Sequence, residues 1–297
     1  MQNQEKINGV LYVVSTPIGN YSDLSLRAKE VLTAVDYIAA EDTKRTAILL
    51  STLGIKVGNR LISNHKFNEG LKTRYFINDL LSGKEVAIVT DAGTPCISDP
   101  GNELIREAIR NNIDVKPIPG CCAAIAALSV SGFPLNHFAF FGFMPRDNAG
   151  KKRMIEEIMD SPNLNTWVFY ESPKRIIDTL RFLCDLSINC ELCVCNDLTK
   201  IHEKVYRGTP EKVYKELLDK GSYDKGEYVL VAFFDKKRNS TIKLEELSPE
   251  AAIIDIMIKN NCSIKEAIKL IVNNEQSRYS RNELYSCSIN LKELLLT

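Results

Sequence analysis

The 297 residues carry 38 lysines and arginines against 38 aspartates and glutamates, and 44% of them are hydrophobic. A balanced charge gives no support to a strongly basic nucleic-acid binder, although local basic surfaces stay open; the composition is that of a water-soluble globular protein able to bury a core. No window approaches the roughly 18 uninterrupted apolar residues of a membrane span, and the opening MQNQEKING lacks the charged start and apolar core of a signal peptide, so a cytoplasmic protein with no membrane partner is expected.

The segment GVLYVVS reads as a strand, and SDLSLRAKEVLTAV as a helix with Ser22 as its N-cap. DYIAAED, LISNH and EVAIVTD follow as strands. NELIREAIRN places Leu104, Ile105, Ala108 and Ile109 at helical spacing before DVKPIPG returns to the sheet. Strands alternating with helices of this length argue for a largely parallel α/β sheet. Residues 117–134 contain a small-residue helix suited to close packing, with a domain boundary near its glycine. Beyond it HFAFFGF, TWVFYES, ELCVCND, EKVYRG and EYVLVAFF are strands with fewer helices between them, which suggests a second, mixed sheet.

Ser172-Pro173 and Thr209-Pro210 each set a capping hydroxyl before a proline at the first helical position. The remainder is helical: Ser248-Pro249 opens one helix, and Ser263-Ile-Lys-Glu266 and Ser280-Arg-Asn-Glu283 are capping boxes. The expected organisation is an N-terminal α/β domain over 1–118, a second α/β domain over 119–238, and a helical module over 239–297. That module reads equally as a helix-turn-helix-like unit or as a tail packed on the body or on a dimer partner.

Nine cysteines without an export signal fit reduced thiols. Cys190 and Cys193 have a metal-like spacing, but they lie in an alternating strand without a second Cys/His pair and read as core residues; no metal site is expected. Cys121-Cys122 also reads as packing.

Four polar clusters sit at or just beyond strand ends: Ser15 to Asn20, Glu41 to Arg45, His65 with Asn68 and Glu69, and the stretch TDAGTPCISDPG beginning at Thr90. In a parallel sheet these loops share one edge and would converge on one crevice. There is no G-x-x-x-x-G-K-[ST], no G-x-G-x-x-G and no H-E-x-x-H, which removes simple nucleotide-hydrolase, nicotinamide and zinc-protease readings. A cleft of backbone amides, carboxylates and small residues suits a nucleoside-containing cofactor. Glu41 and Asp42 are the candidates for a general base, because adjacent carboxylates at a strand end leave one facing the cleft. GFMPRDNAGKKR, with Phe143, Lys152 and Arg153, reads as a phosphate-contacting lid, with Lys44-Arg45, Lys174-Arg175 and Lys236-Lys237-Arg238 as further basic groups.

The segments LYVVSTPIGNYSDLSLRA, AAEDTKRT, HKFNE, VTDAGTPCISDPG, PIPGCCAAIAAL, FYESPKR, LTKIHE and KGEYVLV follow one another in a familiar order. From about Leu11 to Phe234 the chain resembles the bacterial small-subunit rRNA ribose methyltransferases of the tetrapyrrole methylase superfamily. The resemblance implies two α/β domains binding S-adenosylmethionine between them, in a homodimer. It implies 2′-O-methylation of a cytidine near the decoding site of 16S rRNA, with the small ribosomal subunit as partner and no DNA. Asp91, Ala92, Gly93, Thr94, Pro95 and Ile97 would line the methionine part of the cofactor; Gly120, Ala123, Ala124 and Tyr170 would complete the pocket. Thr16, Pro17, Gly19 and Asn20 of the first loop, Thr43 and Arg45 of the second, and His65, Asn68 and Glu69 would face substrate. The chain departs from the family pattern at Cys121 (normally proline), at Asn196-Asp197 (normally Arg-Glu) and at Phe67 (normally histidine). A small-molecule methylase and a non-catalytic RNA-binding assembly factor are the alternative readings.

Overall fold

In the first third of the chain each apolar run becomes a strand: β1 (Val10–Val14), β2 (Tyr37–Ala40), β3 (Leu61–Ser63), β4 (Val86–Val89) and β5 (Asp114–Ile118). The structure is a computed structural model that describes residues 8–66, 68–161, 163–186, 188–235, 248–273 and 279–295. Phe67, Lys236-Lys237-Arg238 and the boundary expected after residue 238 lie outside the described residues. All five strands are parallel in the order β3-β2-β4-β1-β5. Pro117 lies in β5, an edge strand, where its missing N–H leaves no inner neighbour unpaired.

A parallel sheet needs cover on both faces. Helices α1 (Leu26–Ala34) and α2 (Thr43–Thr52) bury Leu32 and Leu50 with Ala87 and Val89 on one side. Helices α3 (Glu69–Leu81) and α4 (Asn102–Arg110) bury Phe76, Leu80 and Leu104 with Val86 and Ile88 on the other. The four residues of β4 thus alternate between two cores. Helix α1 is capped by Ser25, whose Oγ accepts the Ala28 N–H at 3.1 Å, and not by Ser22 as expected. Asn20 takes the Ser22 N–H instead, and residues Tyr21–Asp23 form a separate 3-10 turn.

The second sheet holds β6 (Phe138–Phe143), β7 (Thr166–Glu171), β8 (Cys190–Asn196), β9 (Lys204–Gly208) and β10 (Tyr228–Phe234), in the order β6-β7-β10-β8-β9. Only β6 and β7 run parallel; the other neighbours are antiparallel. The small-residue helix α5 (Ala123–Ser131) lays Ala124, Ala127 and Leu128 on one face, against Val168, Val229 and Val231. Helices α6 (Asn148–Asp160), α7 (Ile176–Asp185) and α8 (Pro210–Lys220) cover the other, around Trp167, Phe169 and Leu230. Cys190 packs in this second core and Cys193 beneath α5, because an odd spacing along a strand sends side chains to opposite faces.

Two expectations are corrected in this half. Helix α7 starts at Ile176, not after Ser172-Pro173. The Glu171 carboxylate takes the Ser172 N–H at 2.7 Å, and the Ser172 carbonyl accepts from Arg175 at 2.9 Å, so these residues form a turn first. The proposed lid segment is a loop only over Met144 to Asp147: Phe143 ends β6 and lines the cleft, and the residues from Asn148 open helix α6, capped by Asp147 through the Gly150 N–H at 2.7 Å. Lys151 is buried, its ammonium 5.5 Å from the Phe182 ring centroid, and burial lowers its pKa; Lys152 and Arg153 lie exposed on the helix.

The chain divides into two compact units, Met1–Phe234 and Asp235–Thr297. In the second, α9 (Pro249–Asn260), α10 (Ile264–Val272) and α11 (Arg281–Leu295) enclose a core of their own around Ile253, Ile268, Ile271 and Leu284. Ser248 caps α9, Ser263 and Glu266 make a full capping box, and Ser280 and Glu283 exchange the same pair of bonds at 3.4 and 3.2 Å. Among the described residues no helix is long and apolar enough to cross a membrane.

Candidate active site

The parallel register sets the site. Ala40 of β2 lies beside Val89 of β4, so the residues that follow, Glu41 and Thr90, emerge side by side. The Thr90 hydroxyl donates to Glu41 Oε2 at 2.7 Å, and the Asp91 N–H reaches the same oxygen at 3.3 Å. Asp91 in turn accepts the Asp42 N–H at 3.2 Å and pairs with the Arg45 guanidinium at 3.0 Å. Burial raises the Asp91 carboxyl, the Glu41 charge adds to the rise, and Arg45 opposes it.

The first loop is stitched to the same turn. Thr16 and Gly93 exchange N–H···O bonds at 2.8 and 3.0 Å, and the Thr16 hydroxyl donates to the Thr90 carbonyl at 3.1 Å. The Thr94 hydroxyl donates to the Cys121 carbonyl at 2.9 Å and lies 2.9 Å from the Ser15 hydroxyl. Gly93 has φ +90°, a left-handed conformation that its pairing with Thr16 requires and that side chains disfavour. Gly19 is needed for closeness: a Cβ there would stand 2.8 Å from the Leu198 carbonyl oxygen.

These loops form one wall of a cleft of about 400 Å³. The facing wall comes from the second sheet: Tyr170 and Glu171 at the end of β7, and Glu227, Tyr228 and Val229 at the start of β10. Antiparallel pairing of Tyr228 with Glu171 and of Val229 with Tyr170 brings these distant segments to one edge. Phe143 and Phe140 meet the Tyr170 ring edge-on at 5.7 and 4.8 Å, and burial pushes its phenol well above the ordinary range, so it stays neutral. Five carboxylates line the cleft (Glu41, Asp91, Asp99, Glu171 and Glu227), and among the described residues no lysine, arginine or histidine does. Asp99 is pushed up to about 6, first by burial and then by the Glu41 charge. Asp91, Glu171 and Glu227 are paired from outside the lining by Arg45, Arg175 and Lys200, and the remaining carboxylates, with the Thr90, Thr94 and Ser98 hydroxyls, give the slot a polar lining that favours a cationic ligand over an anionic one. Among the described residues no group of His, Cys, Asp and Glu is arranged to hold a metal ion.

Of the sequence-predicted cofactor residues, Asp91, Ala92, Gly93, Thr94, Ile97, Ala123 and Tyr170 line this cleft. Pro95, Gly120 and Ala124 do not: Pro95 is buried, Ala124 packs into the second sheet, and Gly120 backs onto Ser15, 2.9 Å from where its own Cβ would be. Glu41 faces the cleft. Asp42 does not; it is the N-cap of α2, accepting the Lys44 and Arg45 N–H groups at 2.8 and 3.2 Å, bonds that lower its pKa.

The residues expected to face substrate lie outside the cleft lining. Thr16 and Pro17 are buried in the stitched loop, while Gly19 and Asn20 are exposed beside it. Thr43 opens α2, and Arg45 reaches the edge through Asp91. The third cluster meets the far end of the fourth, away from the cleft lining. Asn68 accepts the His65 N–H at 2.8 Å, and Glu69 accepts the Gly101 and Glu103 N–H groups at 2.8 and 3.1 Å, at the start of α4. Lys152 and Arg153 stay on α6.

Asp99, Glu171 and Glu227 were not singled out from the sequence, although each lies within or beside a quoted motif. Of the departures, Cys121 acts here through its carbonyl, Asn196 is fully buried and accepts from Lys220 at 2.6 Å, and Asp197 pairs with Lys200 at 2.9 Å.

The family model described as tetrapyrrole (corrin/porphyrin) methylases matches residues 10–214. The protein named ribosomal RNA small subunit methyltransferase I from Halalkalibacterium halodurans is 39% identical over 270 residues, covering 90% of this chain and 91% of that one. The protein of the same name from Escherichia coli O157:H7 is 34% identical over 281 residues, covering 94% and 97%. Among solved structures, uroporphyrin-III-C-methyltransferase from Thermus thermophilus aligns with TM-score 0.52 at 22% identity, over 76% of this chain and 94% of that one. Diphthine synthase aligns with TM-score 0.58 at 14% identity, over 76% and 90%. These two likenesses bear on the fold alone. The matched span takes in the first sheet, all of the second but β10, and every lining segment of the cleft but Glu227, Tyr228 and Val229, and on that ground the chain belongs to the tetrapyrrole methylases, with S-adenosylmethionine as its cofactor.

Proposed function

We propose that this protein is an rRNA methyltransferase that moves a methyl group from S-adenosylmethionine to the ribose 2′-oxygen of a cytidine near the decoding site of 16S rRNA. The coarse part of this reading, methylation of small-subunit rRNA, is supported by the names of relatives 34–42% identical over most of the chain. The observation that supports the cofactor's place is the cleft lined by five carboxylates and, among the described residues, by no cation, which suits a sulfonium and an ammonium better than a phosphate. Bound S-adenosylmethionine supplies an electrophilic methyl carbon.

The chain's own residues do the rest. Ala92 and Gly93 leave room for close approach to the backbone, Tyr170 and Ala123 offer apolar contact, and Asp91 faces positive charge. Alignment of a weak nucleophile in such a slot is worth up to roughly 7–11 kcal/mol of the barrier. In this reading the RNA backbone runs outside the carboxylate-lined cleft, where the Arg45 side chain is 72% exposed next to exposed Lys44. Only the target nucleoside enters. In this reading the two halves 1–118 and 119–238 act as cofactor-enclosing domains of a cytoplasmic homodimer.

The test is incubation of the purified protein with labelled S-adenosylmethionine and small ribosomal subunits, then nuclease digestion and mass spectrometry of the nucleosides. Label in 2′-O-methylcytidine is expected. Label on a base, or transfer only to a tetrapyrrole precursor, overturns the reading.

A further inference from the structure

The five cleft carboxylates are not equally free to take a proton. Glu41 already receives the Thr90 hydroxyl at 2.7 Å and the Asp91 N–H at 3.3 Å. Asp91 receives the Asp42 N–H at 3.2 Å and the Arg45 guanidinium at 3.0 Å. Glu171, its side chain fully buried, is held by Arg175 at 3.1 Å, Thr179 at 2.6 Å and the Ser172 N–H at 2.7 Å. Glu227 stands at the rim, 66% exposed and 3.0 Å from the Lys200 ammonium. Asp99 differs. It lines the same cleft, and its hydrogen-bonding neighbour is the Thr90 hydroxyl, which lies 2.7 Å from Glu41 and is shared with it.

We infer that Asp99 accepts the proton of the substrate hydroxyl, an inference that rests on the methyltransferase reading above. As the ribose oxygen bonds to the methyl carbon, the carbon–sulfur bond breaks with its electron pair left on sulfur, and sulfonium becomes thioether. The hydroxyl proton passes to an Asp99 carboxylate oxygen, and the acid so formed returns it to solvent through the cleft mouth. Thr90 and Glu41 are positioning groups in this arrangement: the Thr90 hydroxyl is shared between Glu41 and Asp99, and the Glu41 charge acts on Asp99.

The surroundings agree. Asp99 is pushed up to about 6, by burial first, then by Glu41, with Thr90 opposing and Asp91 adding a little. The other titratable groups that feel its charge are the neutral Tyr170 phenol and the Cys96 thiol, which burial raises to about 11. A carboxyl near 6 is ionised at working pH yet more basic than an ordinary aspartate, the compromise general-base catalysis favours.

The experiment compares full-length wild type, Asp99→Asn and Asp99→Glu. Calorimetry with S-adenosylmethionine is expected to give dissociation constants within about threefold of wild type, and infrared difference titration of the free protein to lose one carboxyl band near pH 6 in Asp99→Asn. Single-turnover methylation of small subunits is expected to rise through pH 6 and level off in wild type, to fall by about 10²–10⁴ without that inflection in Asp99→Asn, and to return in part in Asp99→Glu. Asp99→Asn turnover within threefold of wild type with the same inflection overturns the inference and leaves the methyltransferase reading standing. Loss of cofactor affinity beyond tenfold also overturns it, making Asp99 a cofactor ligand. If wild type labels no ribose, the earlier reading fails and takes the inference with it.

Discussion

The two sheets of the first unit contribute to one cleft in different ways. In the all-parallel sheet, β1, β2 and β4 end on the same edge, so Ser15 to Gly19, Glu41 and the turn after Thr90 meet there by topology alone. In the mixed sheet an edge holds strand ends and strand beginnings together. Tyr170 and Glu171 close β7 while Tyr228 and Val229 open β10, and antiparallel register sets them opposite one another. Polar chemistry at strand ends therefore announces a site in the first sheet. In the second, half of the wall comes from a strand start that no strand-end rule selects.

That contrast can be broken most severely at Glu171. Its carboxylate is fully buried and satisfies Arg175, Thr179 and the Ser172 N–H. Glu171→Ala is expected to cost about 3–5 kcal/mol, because it strands a guanidinium against the Met144 and Pro145 carbonyls alone. Chemical denaturation measures it; a loss below about 1 kcal/mol means that the second wall does not depend on this network.

Gly93→Ala tests the first wall. A Cβ at φ +90° is expected to cost about 1–2 kcal/mol and to loosen the Thr16 pairing. Cofactor affinity, read by calorimetry, should weaken together with thermal stability. Unchanged affinity in a stable variant would show that the stitched loop does not shape the pocket.

Asp99→Asn sharpens the comparison through pH. The folded-state pKa of Asp99 is raised to about 6, so its ionisation opposes folding as pH rises through 6, and the native state is relieved of that cost below the ordinary aspartate range. The variant should therefore be more stable than wild type by about 1 kcal/mol near pH 7.5, a figure discounted for partial exposure, with no gain near pH 3.5. Thermal unfolding at the two pH values checks it. A gain at the low pH instead would mean that burial does not raise this carboxyl.

The smallest effect is expected at Asp42. Asp42→Ala removes the N-cap of α2 and should lower the unfolding temperature slightly. The pH profile of methylation should not move, because the backbone N–H that Asp91 uses remains. A lost inflection would return Asp42 to the chemistry.

Both sheets were legible in the sequence. The strands of the first are short apolar runs ended by turns, and those of the second are rich in aromatic and β-branched residues. Periodicity does not resolve helix starts, however. Ser22, Ser25 and Ser172 are all capping residues by type, and only Ser25 opens an α-helix, since a cap is defined by which N–H groups its oxygen meets. The opening of α6 was misread for the same reason: a glycine and three cations resemble a loop until Asp147 caps them.

The site divides along the same line. Residue type and order alone determined that β-strand ends carry carboxylates, small residues and a glycine, and the motif order named the family. Which carboxylate faces a ligand was decided by tertiary contacts. Asp42 and Glu41 are neighbours in the chain, yet one caps a helix and the other enters the cleft, because side chains along a strand point to opposite sides. Asp99, nine residues beyond Thr90 in the chain, returns to it only through the fold of the intervening turn. Burial and the nearness of Glu41, which no sequence pattern encodes, give it a different acidity from the rest.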